Sequence, residues 1–358
     1  MHAATKTKNQ IIIYIIADRY TDSQQTTFFT DAQNIANHLI NSFPISEYKE
    51  WVQIYAIGTI STSSSISIIA GGAGTASGDI TRDNVRPFVQ YHFPSVTNPS
   101  IANNHSWLVM QNGRGGGYAY PEGYSEAGVA VTSTAVGTAL HEQGHLWGLW
   151  DEYDTSTYYS VYNDGPNTRR NVNLSNPKTG TNAIPSQWGL FIGETAGTNN
   201  RWEGIDNVGL YPMSTAGWGS TIWYRPNSQC TMNVSSGNPY CQVCAEHIFR
   251  RFSSGRELYT VIVSGSNTTI TGLTATGKSV SNDLTIPVVH SDGIVKTIGN
   301  GSSSGFSGSS TTNFFLRMEV KYLLLQRAHF LMQLKCPKLQ SLQVSQILLQ
   351  MPLKTVLV

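Results

Sequence analysis

The sequence predicts an α/β fold of the α+β type, for three reasons. A largely β-branched run from Gln10 to Ile16 is typical of a strand that is buried on both faces. An amphipathic helix and a second apolar run follow it, so the chain opens as β-α-β. Further along, a short apolar run leads directly into a helix with two histidines, and an aromatic-rich half with few regular elements comes after it.

The first helix is predicted between Thr21 and Pro44. Thr21 or Asp22 can cap its start, and Pro44 ends it. The apolar residues that recur at helical spacing between them are Phe28, Ala32, Ile35, Leu39 and Phe43. The segment WVQIYAIGTI then predicts a second strand, which should lie parallel to the first strand after a right-handed crossover.

Two further strands are predicted before the helix that carries the histidines. HSWLVMQN gives one of them, and EAGVAVTST gives a shorter one. The glycine-rich GRGGG between them is not a phosphate-binding loop, because no Lys-Ser or Lys-Thr pair follows and the next element is a strand. We expect this loop to leave the strand from Ala127 to Thr132 at the edge of the sheet, where an extended peptide can pair with it.

The most informative stretch is HEQGHLWGLWDEY, which follows a helix start that Ser133 or Thr134 can cap. His141 and His145 are four residues apart, so on a helix they share a face and can bind one ion. Glu142 lies about 100° further round the helix. This position keeps its carboxylate off the ion but close to a water molecule at the ion.

The residues after the second histidine can return the chain to the two histidines. Gly148 can adopt the left-handed conformation that ends a helix and reverses the chain. Asp151 can then supply a third ligand, with Glu152 as its rival. Two neutral histidines, a carboxylate and an open fourth position are typical of a catalytic zinc site. Such a site lowers the pKa of bound water toward about 7, and Glu142 can accept the proton.

A chance occurrence of two histidines and a glutamate in one helix is the alternative to this interpretation. It explains the five-residue core of the motif. It does not explain the extension H-E-x-x-H-x-x-G-x-x-D, in which each added residue has its own mechanical role.

The second half of the chain offers further candidates for the site. Met213 and Met232 can each lie beneath a metal ion, and we prefer Met232 because it precedes QVCAEHIFRRF, a predicted closing helix. A tyrosine can stabilise the oxyanion of a reaction intermediate. Tyr153, Tyr211 and Tyr224 are the candidates, and the sequence does not rank them.

Three of the four cysteines are close together in the sequence. One interpretation is a disulfide from Cys230 to Cys241 or Cys244, which closes a short loop. The other is a Cys/His metal site that includes His247. No second C-x-x-C is present to complete a four-cysteine zinc site, and the fourth cysteine, Cys336, is distant in the sequence.

The composition excludes several classes of partner. The net charge is +1 and only 13% of residues are charged, so no nucleic acid and no membrane surface is implied. No apolar run is long enough to cross a membrane. The beginning lacks the features of a signal peptide, so either the protein stays inside the cell or its true start is missing. Because the beginning resembles an arbitrary start, we expect a further segment before it. The abundance of Ser, Thr, Asn and Gly favours a secreted protein.

Together these stretches resemble the metzincin branch of zinc peptidases, and more narrowly the M64 family of IgA-peptidase-type metalloendopeptidases. The resemblance spans Ile11 to about Phe252 and departs from the family pattern at Arg19, where a glycine is common. It is carried by IIADRYTDSQQTTFFTDA, WLVMQNGRGGG, ALHEQGHLWGLWDEY, GLYPMSTAGW and WYRPNSQCTM.

The resemblance implies a metzincin-like zincin with a mixed twisted sheet, an active-site helix that carries HExxH, and a loop-rich lower subdomain. It implies a Zn2+ ion bound by His141, His145 and Asp151, with Glu142 as general base and Met232 as the Met-turn. It also implies a secreted or cell-surface bacterial endopeptidase that hydrolyses extracellular proteins. Substrate identity does not follow, because cleavage of IgA belongs to particular members.

We divide the chain into three parts. Residues 1–253 form the predicted catalytic domain, and residues 254–310 form a Ser/Thr/Gly-rich β-type linker or repeat-like module. Residues 311–358 form a Leu/Gln-rich tail, which we interpret as a shifted reading frame or a degenerate end.

Two other functions stay open at this point. One is a catalytically silent cell-surface binding protein that retains a zinc site, although a purely structural site has no use for Glu142. The other is a zinc hydrolase that acts on non-peptide amides. The sequence does not predict the oligomeric state.

Overall fold

The computed structural model of the chain consists of two compact units, Met1–Phe252 and Ser253–Val358. The three-part division above stays a prediction. The residues that the structure describes are 1–6, 8–69, 80, 85, 87–88, 91, 105–119, 128–153, 173–174, 208–209, 211–212, 224–234, 237–265, 267–281, 284–286, 289–290, 293–298 and 314–316.

The first unit contains a five-stranded mixed sheet, so the predicted α/β class is confirmed. Its strands are β1 (Ile11–Asp18), β2 (Val52–Ile57), β3 (His105–Gln111), β4 (Tyr118–Ala119) and β5 (Val129–Thr132). They are arranged in the order β2-β1-β3-β5-β4. β1 pairs in parallel with β2 and β3, β3 pairs in parallel with β5, and β4 pairs antiparallel with β5.

Helix α1 (Gln25–Asn41) connects β1 to β2, as the β-α-β pattern predicts. A short 3-10 turn, Asp22–Gln24, precedes it, and the Thr21 N–H donates to the Gln24 side chain at 3.0 Å. The buried face of α1 contains Phe28, Ala32, Ile35, Ala36 and Leu39, which includes most of the predicted stripe. The helix contacts β2 and the helix that carries the histidines, so both helices pack on one face of the sheet.

The opposite face of the sheet has its own apolar core. Its buried members include Tyr14 and Ile16 from β1, Trp107 and Val109 from β3, and Val131 from β5. Because side chains alternate between the faces of a strand, the intervening residues of β1 and β3 point toward the helices. β1 is therefore buried on both faces, as its apolar run predicts.

The strand expected at the edge of the sheet does not lie there. Val129–Thr132 lies between β3 and β4, with Tyr118 opposite Val131 and Ala119 opposite Ala130. The glycine-rich segment before β4 makes this possible, because Gly113 (φ +71°) and Gly116 (φ +93°) both adopt left-handed conformations where the chain turns back. β4 is the outermost strand among the described residues. Ala127 lies outside them.

The first unit also contains two short strands and two helices. Strands β6 (Tyr211–Pro212) and β7 (Tyr224–Arg225) form an antiparallel pair. Helix α2 (Val136–Leu146) follows β5, and helix α3 (Gln242–Ser253) begins in this unit at the predicted closing segment. The ring of Phe252 packs edge-on against Trp147 and Tyr48, with centroid distances of 5.1 and 5.7 Å. No helix among the described residues is long and apolar enough to cross a membrane.

The described residues of the second unit form mainly β-structure. β8 (Tyr259–Ser264) pairs antiparallel with β9 (Asn267–Leu273), which pairs in parallel with β12 (Gly293–Ile298). β11 (Val289–His290) pairs with β12, and β10 (Leu284–Ile286) pairs with β13 (Phe314–Leu316). A single helical turn, α4 (Ala275–Lys278), follows β9. Most of the Leu/Gln-rich tail lies outside the described residues.

Candidate metal centre

Helix α2 begins one or two residues later than the predicted caps. Ala135 occupies the N-cap position and makes no side-chain capping bond. The Ser133 hydroxyl instead accepts a hydrogen bond from the Ala135 N–H at 3.2 Å. The prediction that Ser133 or Thr134 caps α2 is wrong, because the Ser133 side chain closes the turn that precedes the helix.

The end of α2 is a Schellman motif centred on Gly148. This glycine has φ +94°, in the predicted left-handed region. The Gly148 N–H donates to the His145 carbonyl at 2.9 Å, and the Leu149 N–H donates to the Gly144 carbonyl at 3.1 Å. The chain therefore reverses and carries Asp151 back toward the last turn of α2.

Three predicted ligand atoms converge at this point. His141 Nε2 lies 2.9 Å from Asp151 Oδ1, and His145 Nε2 lies 3.1 Å from the same oxygen. The two Nε2 atoms are 3.1 Å apart. Two ring nitrogens and a carboxylate oxygen thus face a common point, which is the donor set that a divalent cation requires.

The other ring nitrogen of each histidine faces a backbone carbonyl. His141 Nδ1 lies 2.8 Å from the Thr231 oxygen, and His145 Nδ1 lies 2.8 Å from the Leu149 oxygen. A carbonyl oxygen only accepts, so each Nδ1 must carry the proton and donate it. In a neutral imidazole this leaves the Nε2 lone pair free to bind a metal. The residues present therefore fit a metal ion.

The electrostatics of the site also favour a positive charge between these groups. Burial disfavours protonation of His145, but the Asp151 carboxylate beside it outweighs burial and raises the pKa of His145 to about 9. Burial also opposes ionisation of Asp151, yet the two histidines hold the pKa of this carboxyl well below its usual range. A divalent cation can take the place of the proton in this arrangement.

Glu142 is buried beside the histidines. Burial raises the pKa of Glu142, and the nearby His145 and His141 partly offset that rise. Its Oε2 has no hydrogen-bond partner among the described residues. Gly117, next to β4, makes room for this side chain, since a Cβ there would lie 2.5 Å from Glu142 Oε1 and 2.6 Å from the Val131 oxygen. The carboxylate thus lies against Gly117 and interacts electrostatically with both histidines.

Met232 lies directly beneath α2. A Cβ built on Gly144 would lie 2.6 Å from the Met232 sulfur, so the helix and this side chain are in close contact. Met232 is fully buried, and its carbonyl accepts the Glu152 N–H at 2.7 Å. Met213 lies outside the described residues.

The three candidate tyrosines occupy different places. The Tyr153 ring stacks on the His141 ring, with a centroid distance of 5.8 Å and an interplanar angle of 29°. Tyr211 and Tyr224 lie on the paired strands β6 and β7. The structure therefore brings Tyr153 to the histidines.

Glu152 and His247 do not join the histidine cluster. Asn173 donates to Glu152 Oε1 at 3.0 Å, and the Cys244 thiol donates to the same oxygen at 3.1 Å. His247 Nε2 instead lies 2.8 Å from the Trp147 carbonyl, at the end of α2. The predicted Cys/His site with His247 is wrong, because the fourth side chain grouped with the three cysteines is Glu152 and not His247.

Several contributors to the site were not predicted from the sequence. The carbonyls of Thr231 and Leu149 have no side-chain signal, since any residue can supply a backbone oxygen. Gly117 had a signal, the run of glycines before β4, but its role as space for Glu142 depends on a contact distant in the sequence.

Comparison with known proteins places the chain in a family. No curated protein matches the sequence. One similar solved chain, in "Structure of a chaperone-substrate complex", is 13% identical, with a TM-score of 0.26; the match covers 41% of this chain and 24% of that chain. Another, metalloproteinase-II from Bacteroides fragilis, is 17% identical, with a TM-score of 0.26. That match covers 43% of this chain and 46% of that chain. The chain thus spans less than half of either structure.

The family comparison is more extensive and agrees with the resemblance inferred from the sequence. The profile described as IgA Peptidase M64 matches residues 1–208, which is more than half of the 358 residues. The chain therefore belongs to the IgA Peptidase M64 family, a family of metallopeptidases that act on proteins or peptides.

Proposed function

We propose that this chain is a zinc-dependent endopeptidase whose active site is formed by His141, His145, Asp151 and Glu142. The observation that carries the proposal is the convergence of two Nε2 atoms and Asp151 Oδ1 at mutual distances of 2.9 to 3.1 Å. Backbone carbonyls hold both Nδ1 atoms at 2.8 Å, which supports the ligand role of the opposite nitrogens.

Zinc is the metal that we propose for these ligands. Two imidazoles and one carboxylate are a typical ligand set of catalytic zinc sites, which keep the fourth position open. When bound, zinc supplies Lewis acidity that polarises a carbonyl and lowers the pKa of a coordinated water toward about 7.

Glu142 is proposed as the general base. Its carboxylate interacts electrostatically with both histidines and has one oxygen without a hydrogen-bond partner among the described residues. That oxygen can accept a proton from the attacking water and later pass it to the leaving amine. Its burial keeps bulk water from competing for the same proton.

The substrate is proposed to lie alongside β4. This strand is the outermost of the described sheet, and Gly117 immediately before it approaches Glu142. An extended peptide at this position would present its backbone carbonyl to the metal centre. Binding of this kind uses the peptide backbone, so cleavage inside a chain is favoured. We propose extracellular proteins as substrates, and a secreted or surface location, on the strength of the polar, charge-poor composition.

Elemental analysis and a hydrolysis assay test the proposal together. The wild type should hold zinc and cleave a mixed protein substrate, and a chelator should abolish cleavage. Glu142→Gln should retain the metal and lose roughly 100-fold to 10,000-fold in kcat. The matched control is Glu257→Gln, at an exposed glutamate of the second unit, which should behave as wild type.

Other outcomes would redirect the assignment. Zinc without hydrolysis of any protein or peptide would favour the catalytically silent binding protein. Hydrolysis confined to small non-peptide amides would favour a zinc hydrolase that acts on such amides. Full activity in Glu142→Gln would remove the proposed general base.

A further inference from the structure

A second group of metal-binding side chains lies beside the candidate metal centre. Glu152, Cys230, Cys241 and Cys244 are all buried, and one ligand atom from each lies within 4.8 Å of the others. The three cysteines are free thiols, so the predicted disulfide is not formed. We name this group the cysteine-glutamate cluster.

We propose that the cysteine-glutamate cluster binds a structural zinc ion, separate from the ion of the candidate metal centre. A tetrahedral zinc site with Zn–S bonds of about 2.3 Å has sulfur atoms about 3.8 Å apart. The sulfurs of Cys230 and Cys244 are 3.7 Å apart, and the Cys244 sulfur is 3.1 Å from Glu152 Oε1. The ligand atoms are therefore spaced for one small cation.

The buried carboxylate of Glu152 favours a cation over a disulfide. Its Oε1 accepts hydrogen bonds from Asn173 and from the Cys244 thiol, whereas its Oε2 has no partner among the described residues. An isolated buried carboxylate is costly unless a positive charge accompanies it. A disulfide would use two of the cysteines and leave Glu152 without such a charge. A metal ion accounts for all four side chains.

A backbone donor and the start of α3 can each stabilise a thiolate in the cysteine-glutamate cluster. The backbone N–H of Cys241 donates to the Cys230 sulfur at 3.3 Å. Cys241 immediately precedes α3 and Cys244 lies in its first turn, where the positive end of the helix dipole favours negative charge. Three soft thiolates select zinc over magnesium or calcium. Four protein ligands close the coordination shell, which is typical of a structural site.

The position of the cluster suggests its purpose. Glu152 follows the predicted ligand Asp151 directly in the chain. Cys230 precedes Thr231, whose carbonyl contacts His141 Nδ1. An ion in the cluster would therefore hold together the two segments that position Asp151 and His141, and attach both to the start of α3. We expect it to stabilise the candidate metal centre without taking part in the reaction.

The test begins with a variant that removes the candidate metal centre. The double variant His141→Ala, His145→Ala should still hold one zinc ion per chain, compared with two in the wild type. X-ray absorption at the zinc edge should show sulfur ligands at about 2.3 Å in this variant. A double variant without zinc, or with zinc that has no sulfur ligand, would overturn the proposal. Because the histidines are absent, this result does not depend on whether the chain is a peptidase.

Variants of the cluster complete the test. In the double-histidine background, Glu152→Gln should weaken zinc binding by roughly 100-fold, and Cys244→Ser should abolish it. Cys336→Ser is the matched control and should leave zinc binding unchanged. Glu152→Gln preserves shape, so it remains informative if Cys244→Ser does not fold. Unchanged zinc affinity in Glu152→Gln would count against the proposal.

Thiol alkylation separates the metal from a disulfide. After denaturation with a chelator and without a reductant, all four cysteines should react. A disulfide between any two of Cys230, Cys241 and Cys244 would overturn the proposal.

Discussion

The Thr231 carbonyl lies 2.8 Å from His141 Nδ1, across 90 residues of sequence. Thr231 is next to Met232, whose sulfur packs beneath α2 at Gly144. One short segment thus orients a histidine through its backbone and supports the helix through a side chain. This arrangement gives the proposed ligand a fixed tautomer and a fixed ring position before any metal binds.

Met232 should contribute to stability through packing. Met232→Ala removes a fully buried side chain under α2 and should lower the free energy of unfolding by about 2–5 kcal/mol. Met232→Leu keeps the volume and should cost less than about 1.5 kcal/mol. Urea denaturation of both variants measures the difference. If Met213→Ala had the larger effect, the choice of Met232 as the methionine beneath the site would be wrong.

Gly117 should tolerate no side chain. In Gly117→Ala the new Cβ would meet Glu142 Oε1 at 2.5 Å and the Val131 carbonyl at 2.6 Å, and the backbone atom cannot move aside easily. We expect the displaced carboxylate to lower kcat by roughly 100-fold while zinc stays bound. Gly115→Ala is the control, because nothing lies within 4 Å of its Cβ. Equal activity in the two variants would show that Gly117 does not position Glu142.

The fold and helix α2 could be predicted from the sequence because both depend on local patterns. The period of α1, the apolar run of β1 and the turn at Gly148 each follow from neighbouring residues. β4 is different, since two residues contain no periodicity and only pairing with β5 identifies them as a strand. The placement of Glu152 beside Cys244 is also different, because 92 residues separate them and only tertiary packing brings them together.

Tyr153 is the tyrosine most suited to contact the substrate carbonyl oxygen, since its ring stacks on His141. Tyr153→Phe retains the ring and removes the hydroxyl. If that hydroxyl stabilises the oxyanion, kcat should fall by roughly 100-fold to 1,000-fold with little change in zinc content. Tyr211→Phe and Tyr224→Phe serve as comparisons under the same steady-state assay. A larger loss in either of them would transfer the role to that residue.

Asp18 should give the stability of the first unit a pH dependence. It is fully buried at the end of β1, and burial raises its pKa above 3.8 despite hydrogen bonds from Gln111 and Ser67. The folded state therefore binds this proton more tightly than the unfolded state does. The stability contributed by the protonated form is fully present below pH 3.8. It is lost as the pH rises through the folded-state pKa of Asp18. Asp18→Asn does not titrate, so it isolates this contribution.

The free energy of unfolding of the wild type, minus that of Asp18→Asn, should fall as the pH rises above 3.8. Urea denaturation of both proteins at several pH values measures this difference. A difference that increased with pH would mean that the folded protein favours the charged carboxylate.

Metal removal should destabilise the protein in two separable stages. A ligand that binds only the folded state stabilises it by roughly 2.7 kcal/mol when its free concentration is 100 times its Kd. A chelator should therefore lower the Tm of the wild type, and added zinc should restore it. In the variant His141→Ala, His145→Ala, a chelator should still lower the Tm, but by less, because only the cysteine-glutamate cluster would release an ion. A Tm in this variant that did not respond to the chelator would place all metal-linked stability at the histidines.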